Sequence, residues 1–274
     1  MAKQGSTGMN DAGLYVRFNG MQAKGAEESM EEFSSYFKWG KAEKILDVGC
    51  GPGDVTSNIL RSYIPDDAKL IGGDISREMV EYATSNFKSD QIMYRILDIE
   101  NVSWETELEK SYHKIFSFYC FHWIQNQKLA VKNLFRLLKP DGQLFLVFLS
   151  KSAVFELYKH LKKNPNWAPY MQDVDNYISI YHNSLDPAEE FKQLLVNHGF
   201  TDVKVINQWK SYHFDSLDQL TEAILAVNPF IKRIPEDLLP AYKDDIEKFA
   251  RQNITQKDGR VETKYRLIVA CAAK

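Results

Sequence analysis

The chain has 274 residues, 44% of them hydrophobic, and a formal net charge of −3 at pH 7. It can therefore bury one large core or two small ones, and the slight acidity without a basic patch argues against a nucleic-acid partner. No apolar run reaches the roughly 18 residues of a membrane span, and the N-terminus lacks the apolar core of a secretory signal. Three widely separated cysteines (Cys50, Cys120 and Cys271) predict no metal site and no disulfide framework, which favours a reducing, cytoplasmic compartment.

The first half of the chain alternates between strand and helix patterns. We interpret residues 1–8 as an added leader before a second start at Met9, outside the fold. The elements predicted next are a strand Lys44–Val48, a helix Asp54–Tyr63, a strand Lys69–Asp74, a helix capped by Ser76, strands Gln91–Leu97 and His113–Cys120, a helix Lys128–Leu138 before Pro140, and a strand Gln143–Leu149. Near-continuous apolar strands between helices predict a mostly parallel α/β sheet with helices on both faces.

The pattern changes after Ser150. Residues 151–186 are rich in Lys, Asn, Tyr and Trp, which indicates an insertion or a lid rather than a simple crossover. The elements predicted beyond it are a helix Ala188–His198, a strand Phe200–Ile206, helices Leu217–Val227 and Leu238–Gln252, and a last strand Val261–Ala272 that pairs with the strand near 204–214.

A glycine loop follows the first strand. Asp47-Val-Gly-Cys-Gly-Pro-Gly53 places glycines at 49, 51 and 53, and Asp54 stands where a dinucleotide-binding loop has its third glycine. Glycine lets the backbone approach a ligand closely. A pyrophosphate is disfavoured beside an acid, so Asp47 and Asp54 indicate a cofactor that carries positive charge.

Two further acids end the next two strands. Asp74 lies where an acid accepts hydrogen bonds from ribose hydroxyls, although it could instead cap the following helix. Asp98 could bind an adenine amino group between Ile75 and Ile99, or could be an ordinary loop residue. Together with the loop, these acids predict a nucleoside cofactor.

Residues 41–150 resemble the class I S-adenosylmethionine-dependent methyltransferases, through the glycine loop, Gly73-Asp74, Leu97-Asp98-Ile99 and Leu138-Lys-Pro-Asp-Gly142. The resemblance implies S-adenosyl-L-methionine as cofactor and a Rossmann-like fold whose seven-stranded sheet has an antiparallel last strand. It also implies a set of cofactor contacts: Asp74, Ile75, Asp98 and Ile99 toward the adenosine, and Asp47, Gly49, Cys50, Gly51 and Ser117 toward the methionine end.

A narrower resemblance runs nearly the full chain from Met9. Asp11-Ala-Gly-Leu-Tyr15, Asn19-Gly-Met-Gln22, Ser117-Phe-Tyr-Cys-Phe-His-Trp123 and Asn228-Pro-Phe230 are similar to segments of the insect juvenile hormone acid methyltransferases. This implies methyl esterification of farnesoic acid or juvenile hormone acid by a methyltransferase domain at 41–274. It also implies an N-terminal helical lid at 9–40 and an acceptor-site insertion at about 151–186.

The resemblance assigns acceptor binding to Gln22 and Trp123, whose neutral N–H groups would hold the carboxylate. From sequence alone, Gln22 could instead be a solvated helix residue and Trp123 a core aromatic. Tyr15 is expected to close over the sulfonium, or to anchor the N-terminal segment. A carboxylate acceptor is already ionised and needs no base, so His122 is expected to line the pocket; it would serve as base only for a hydroxyl or amine acceptor.

An apolar tunnel should hold the isoprenoid tail. Its candidate residues are Phe118, Phe121, Leu149, Val154, Tyr158, Trp167, Tyr177, Tyr181 and Phe230. The expected partner is a small lipophilic carboxylic acid, and a homodimer stays open. The alternatives are a paralogue that methylates another lipophilic acid, such as a fatty acid, and a non-catalytic ligand-binding relative.

Overall fold

A computed structural model describes residues 11–102, 110–257 and 260–274. One mixed sheet forms its centre, in the order β3-β2-β1-β4-β5-β8-β6. Its strands are β1 Lys44–Val48, β2 Lys69–Asp74, β3 Ile92–Ile96, β4 Tyr112–Phe118, β5 Leu138–Ser152, β6 Thr201–Phe214, β7 Thr255–Lys257 and β8 Arg260–Ala273. Strands β1 to β5 pair in parallel, whereas β8 lies antiparallel between β5 and β6.

The central strands are apolar on both faces because helices cover both. Successive residues of β1, Ile45 and Leu46, enter two different core clusters, and so do Leu144 and Phe145 of β5. This alternation follows from the two-residue repeat of a strand. It explains why these strands read as continuous apolar runs rather than as alternating patterns.

The helices lie between and around these strands. They are α1 Ala12–Phe18, α2 Gly20–Phe33, α3 at residues 54–63 with a π-helical middle Thr56–Leu60, α4 Arg77–Phe87, α5 Gln127–Leu137, α6 Ala153–Lys162, α7 Pro187–Asn197, α8 Leu217–Ala226 and α9 Leu239–Asn253. Ser76 caps α4 as expected, since its hydroxyl accepts the Met79 backbone N–H at 3.4 Å.

The predicted α/β fold is confirmed, including seven strands with an antiparallel β8 that pairs with β6. Several boundaries differ. Strands β5 (Leu138–Ser152) and β6 (Thr201–Phe214) are longer than the predicted 143–149 and 200–206, and the other shifted ends move by one or two residues. The short β7 adds an eighth strand at the edge of β8. Helix α5 ends at Leu137 rather than Leu138, because Leu138 already pairs with Tyr112 as the first residue of β5. Helix α8 ends at Ala226, one residue before the predicted end.

The segment predicted as an insertion begins with the last two residues of β5 and continues through α6 and two 3₁₀ turns, Ala168–Tyr170 and Val174–Tyr177. The predicted leader lies outside the described residues, as does the Asp258-Gly259 turn. Over the ranges that are described, no helix combines the length and apolar character needed to span a membrane.

Candidate active site

The glycine loop turns sharply between β1 and α3. Gly49, Gly51 and Gly53 all have positive φ angles, of 72°, 54° and 88°. A β-carbon on Gly49 would lie 2.2 Å from the Cys120 sulfur, so only glycine fits that position beside the end of β4. The Gly49 N–H donates to the Gly73 carbonyl at 2.7 Å, which fastens the loop to the end of β2.

Two carboxylates of this loop are buried with one oxygen each left unpaired. Asp47 Oδ2 accepts the Thr56 hydroxyl at 2.6 Å, and Asp54 Oδ2 accepts the Asn19 amide at 2.7 Å. Within the part of the chain that the structure describes, the Oδ1 atoms of both acids have no hydrogen-bond partner. Burial raises the pKa of Asp54, and it raises that of Asp47 to about 7. A cationic ligand would relieve this cost, because opposite charge favours the ionised form.

Asp74 organises the start of the next crossover. Its Oδ2 accepts the Gly51 backbone N–H at 2.9 Å, and its Oδ1 accepts that of Ser76 at 2.8 Å. The residue that caps α4 is Ser76, so Asp74 does not serve as the helix cap. Burial raises the Asp74 pKa, while the backbone N–H groups of Ser76 and Gly51 act in the opposite direction.

A cavity of about 210 Å³ opens above these loops, at the carboxyl ends of β1 and β2. Twelve predicted site residues line it: Tyr15, Gln22, Gly49, Gly51, Asp74, Ile75, Asp98, Ile99, His122, Trp123, Leu149 and Val154. A smaller cavity of about 40 Å³ adjoins it at Gly49 and Gly51, and it adds Asp47, Cys50 and Phe118. Residues predicted separately for cofactor and acceptor thus share one connected space.

The N-terminal helices bring Gln22 into this space. Asn19, at the junction of α1 and α2, is 5% exposed and donates to Asp54, and Gln22 follows one helical turn later. A β-carbon on Gly25 would lie 2.0 Å from the Tyr119 hydroxyl, so α2 packs closely on the end of β4. No described residue hydrogen-bonds the Gln22 side chain, which leaves its amide available to a ligand.

Trp123 and His122 occupy one short turn after β4, Phe121–Trp123. Their rings are 4.6 Å apart, and the Phe155 ring of α6 lies against both. Trp123 lines the cavity and, among the described residues, its indole N–H has no partner. His122 is 2% exposed, and burial lowers its pKa to about 3, so the ring is neutral.

Tyr15 of α1 lies over the same loops and lines both cavities. Burial is the main cause of its raised pKa, and the negative charges of Asp54 and Asp74 add to it. An aromatic ring close to these two acids is well placed to contact a bound cation.

Seven predicted residues line neither cavity. They are Ser117, Phe121, Tyr158, Trp167, Tyr177, Tyr181 and Phe230. Ser117 donates to the Val48 carbonyl at 2.7 Å, and Tyr158 donates to that of Val227 at 3.1 Å. The others pack or hydrogen-bond within the protein: for example, the Phe230 ring packs against those of Tyr158 and Tyr177, and the Trp167 indole N–H donates to Asp245.

Some lining residues were not predicted from sequence. They include Met21, Met79, Glu100, Tyr119, Ile124, Ser152, Phe155 and Val227. Met21 and Tyr119 adjoin predicted residues, and proximity to those motifs could have identified them. Val227 lies just beyond α8, about a hundred residues from Trp123, and no local pattern marks it.

The residues present fit S-adenosylmethionine. The unpaired Asp47 and Asp54 oxygens suit its positive charges, the glycine loop permits close backbone approach, and Asp74 stands where a ribose is recognised. Such a pocket, at the carboxyl ends of β1 and β2 in this sheet order, defines a class I S-adenosylmethionine-dependent methyltransferase.

Comparison with known proteins identifies the family within this class. Residues 45–142 match the family model described as a methyltransferase domain. The juvenile hormone acid O-methyltransferase of Drosophila melanogaster is 37% identical over 97% of this chain and 93% of its own length, and that of Bombyx mori is 36% identical over 89% and 87%. The chain therefore belongs to the juvenile hormone acid O-methyltransferase family, and the resemblance seen in its sequence is confirmed.

A solved structure supports the fold separately. Phosphoethanolamine N-methyltransferase 2 of Haemonchus contortus, in complex with S-adenosyl-L-methionine, superposes with a TM-score of 0.55. It is 18% identical, and the alignment covers 90% of this chain and 52% of that one. This likeness extends the shared fold well beyond the segment that the family model matches.

Proposed function

We propose that this enzyme transfers the methyl group of S-adenosylmethionine to the carboxylate of farnesoic acid or juvenile hormone acid, forming the methyl ester and S-adenosylhomocysteine. Both curated relatives are named for methylation of juvenile hormone acid. The observation that carries the proposal is the meeting of two neutral donors, Gln22 and Trp123, in the cavity that contains the glycine loop, where neither has a partner among the residues that the structure describes.

The cofactor supplies a methyl group on a positively charged sulfur, which a carboxylate oxygen can attack directly. The glycine loop and Asp74 would hold the nucleoside side of this ligand, and Asp47 and Asp54 would face its positive charges. Tyr15 would cover the loop from α1. These residues bind and orient; none of them has to move a proton.

The acceptor side must keep an acid ionised among apolar groups. Leu149, Val154 and Phe155 line the cavity, and such surroundings raise the pKa of a carboxyl group. Hydrogen bonds to the charged form counteract that rise. The Gln22 amide and the Trp123 indole N–H would provide them and would hold one oxygen toward the methyl group in a near-attack position.

The neutral state of His122 favours a carboxylate over a hydroxyl or amine acceptor. A general base works best when its pKa lies near the operating pH, and burial lowers the pKa of His122 to about 3. A carboxylate acceptor requires no base. The neutral His122 ring therefore fits the esterification of an acid, which needs no base.

We also propose a cellular compartment for the enzyme. Cys50, Cys120 and Cys271 are all free thiols, which supports a reducing compartment and hence the cytoplasm. A homodimer stays a prediction, to be tested by light scattering.

Radiolabelled methyl transfer tests the reaction. The acceptors are farnesoic acid, juvenile hormone acid, a medium-chain fatty acid and none. We expect rapid ester formation with the two sesquiterpenoid acids. A preference for the fatty acid would indicate a paralogue with another substrate, and cofactor binding without transfer to any acid would indicate a ligand-binding relative.

Two variants test the assigned donors. Gln22→Ala and Trp123→Leu should each lower kcat/KM for farnesoic acid about ten- to a hundredfold, the expected loss of a hydrogen bond to a charged group. S-adenosylhomocysteine binding should persist in both. Trp209→Leu is the matched control, because Trp209 is 58% exposed on β6. Near-normal ester formation in both site variants would remove the assignment.

A further inference from the structure

His122 is buried at the acceptor end of the cavity, and one of its ring nitrogens has no partner in the described part of the chain. It follows Phe121 in the turn after β4, it is 2% exposed, and it lines the cavity beside Trp123. Neither side of the ring faces bulk water. Its two nitrogens must therefore find partners in the protein or in a ligand.

Backbone geometry fixes which nitrogen carries the proton. The Leu149 N–H donates to Nδ1 of His122 at 3.4 Å, so Nδ1 is the acceptor. In a neutral imidazole the proton then resides on Nε2, which becomes a donor. The low pKa of the ring, caused by burial, keeps it neutral. No described residue accepts a hydrogen bond from Nε2.

The surroundings of the ring favour an anion. His122 and Trp123 are consecutive, their rings are 4.6 Å apart, and both line one cavity. Helix α6 begins at the same wall, where its N-cap Ser152 and its residue Val154 also line the space. The positive end of a ten-residue helix attracts negative charge. No carboxylate side chain of the protein hydrogen-bonds the ring within the described chain.

We infer that His122 is the third donor to the acceptor carboxylate: its Nε2–H binds the acid together with Gln22 and Trp123. This rests on the proposed function and deepens it. Hydrogen bonds from three neutral N–H groups stabilise the ionised form of the bound acid. Because none of the three groups carries a positive charge, the acid forms no ion pair. The negative charge stays on the attacking oxygen, and the methyl ester, which has lost that charge, binds more weakly and is released.

Two substitutions separate this role from a structural one. In His122→Asn the side-chain carbonyl can replace Nδ1 and keep the Leu149 contact, while the donor in the cavity is lost. In His122→Gln the longer amide can present an N–H where Nε2 was. We expect kcat/KM for farnesoic acid to fall about ten- to a hundredfold in His122→Asn, and His122→Gln to recover most of that loss. His198→Asn, at the end of α7, is the matched control and should leave the rate unchanged.

Ligand binding supplies the second measurement. Isothermal titration of the enzyme saturated with S-adenosylhomocysteine compares farnesoic acid with methyl farnesoate. His122→Asn should weaken acid binding about tenfold more than ester binding. A structural role would weaken both ligands equally and would make His122→Gln the poorer variant; either result overturns the inference. If wild-type enzyme methylates none of the acids, the proposed function fails instead.

Discussion

The two halves of the active site are built in different ways. The cofactor half is mostly backbone: its glycine loop is fastened to β2 by main-chain hydrogen bonds, and Asp74 accepts from two backbone N–H groups. The acceptor half consists of side chains from four separate segments: α2, the turn after β4, the junction of β5 and α6, and Val227 after α8. The donors that we propose there, Gln22 and Trp123, have no partners among the described residues.

This difference predicts that the acceptor half can change while the cofactor half is kept. A backbone cradle tolerates almost no change, because each positive φ angle and close contact excludes side chains. A side-chain pocket can be altered one residue at a time without disturbing the sheet. Substitutions should therefore cause large losses of cofactor binding in the cofactor half and graded changes of activity in the acceptor half.

The largest effect is expected at Gly49. A Gly49→Ala methyl group would overlap the Cys120 sulfur at 2.2 Å and would strain a φ of 72°. We expect S-adenosylhomocysteine binding to weaken at least about a hundredfold. Gly51→Ala is the control: its φ is also positive, but no heavy atom of the described residues lies within 4 Å of the added carbon, so a five- to thirtyfold loss is about what strain alone predicts. Equal losses in calorimetry would show that contact with Cys120 is unimportant.

Asn19 connects the two halves, and its removal should affect both. Asn19→Ala leaves the buried Asp54 without its amide donor, which costs about 1–3 kcal/mol of folding stability. It also frees the start of α2, so kcat/KM for the acid should fall about tenfold. Thermal unfolding and initial rates measure the two effects. Asn86→Ala, an exposed residue of α4, should change neither. A stability loss with unchanged kinetics would mean that Asn19 does not position Gln22.

The pH dependence of cofactor binding should report Asp47. Burial raises its pKa from 3.8 to about 7, so between these values the native protein holds a proton that the unfolded chain has released. Its ionisation therefore costs stability as pH rises through that window, and a cationic ligand offsets the cost. We expect S-adenosylhomocysteine, with its ammonium group, to bind about tenfold more tightly near pH 8 than near pH 6.

Asp47→Asn is the control for this pH dependence and should bind almost equally at both pH values in calorimetry. If the slope persists in that variant, Asp54 or Asp74 is its source, since burial raises the pKa of both.

The smallest effect is expected at Tyr158, behind the acceptor wall. Tyr158→Phe removes the hydroxyl that donates to the Val227 carbonyl at 3.1 Å, and Val227 lines the cavity. Loss of one neutral hydrogen bond, about 1 kcal/mol, should raise KM for the acid only about fivefold and leave kcat intact. Steady-state kinetics measure this. An increase beyond about fiftyfold would place Tyr158 against the substrate tail, as its place among the tunnel candidates predicts.

The cofactor half could be predicted from sequence in most of its parts because local rules govern it. The loop 47–54 requires glycines for its positive φ angles. The acids lie at or just beyond the ends of strands whose apolar runs can be recognised in the sequence. The acceptor half was reached only through family resemblance at Gln22 and Trp123. The structure divides the candidates for its apolar tunnel: Leu149 and Val154 line the cavity, whereas Tyr181 packs in the core and donates to Gln127.

By itself, the sequence determined the sheet, its helices and the class of cofactor. Those properties arise from residues close together along the chain, through strand periodicity, glycine conformation and buried acids. Only the tertiary structure decided that Gln22, Trp123 and Val227 face one space, and that the Leu149 N–H occupies Nδ1 of His122, which leaves Nε2 as the donor that we assign to the acid. Segments up to about two hundred residues apart must pack before their side chains acquire a direction, and no local pattern encodes that packing.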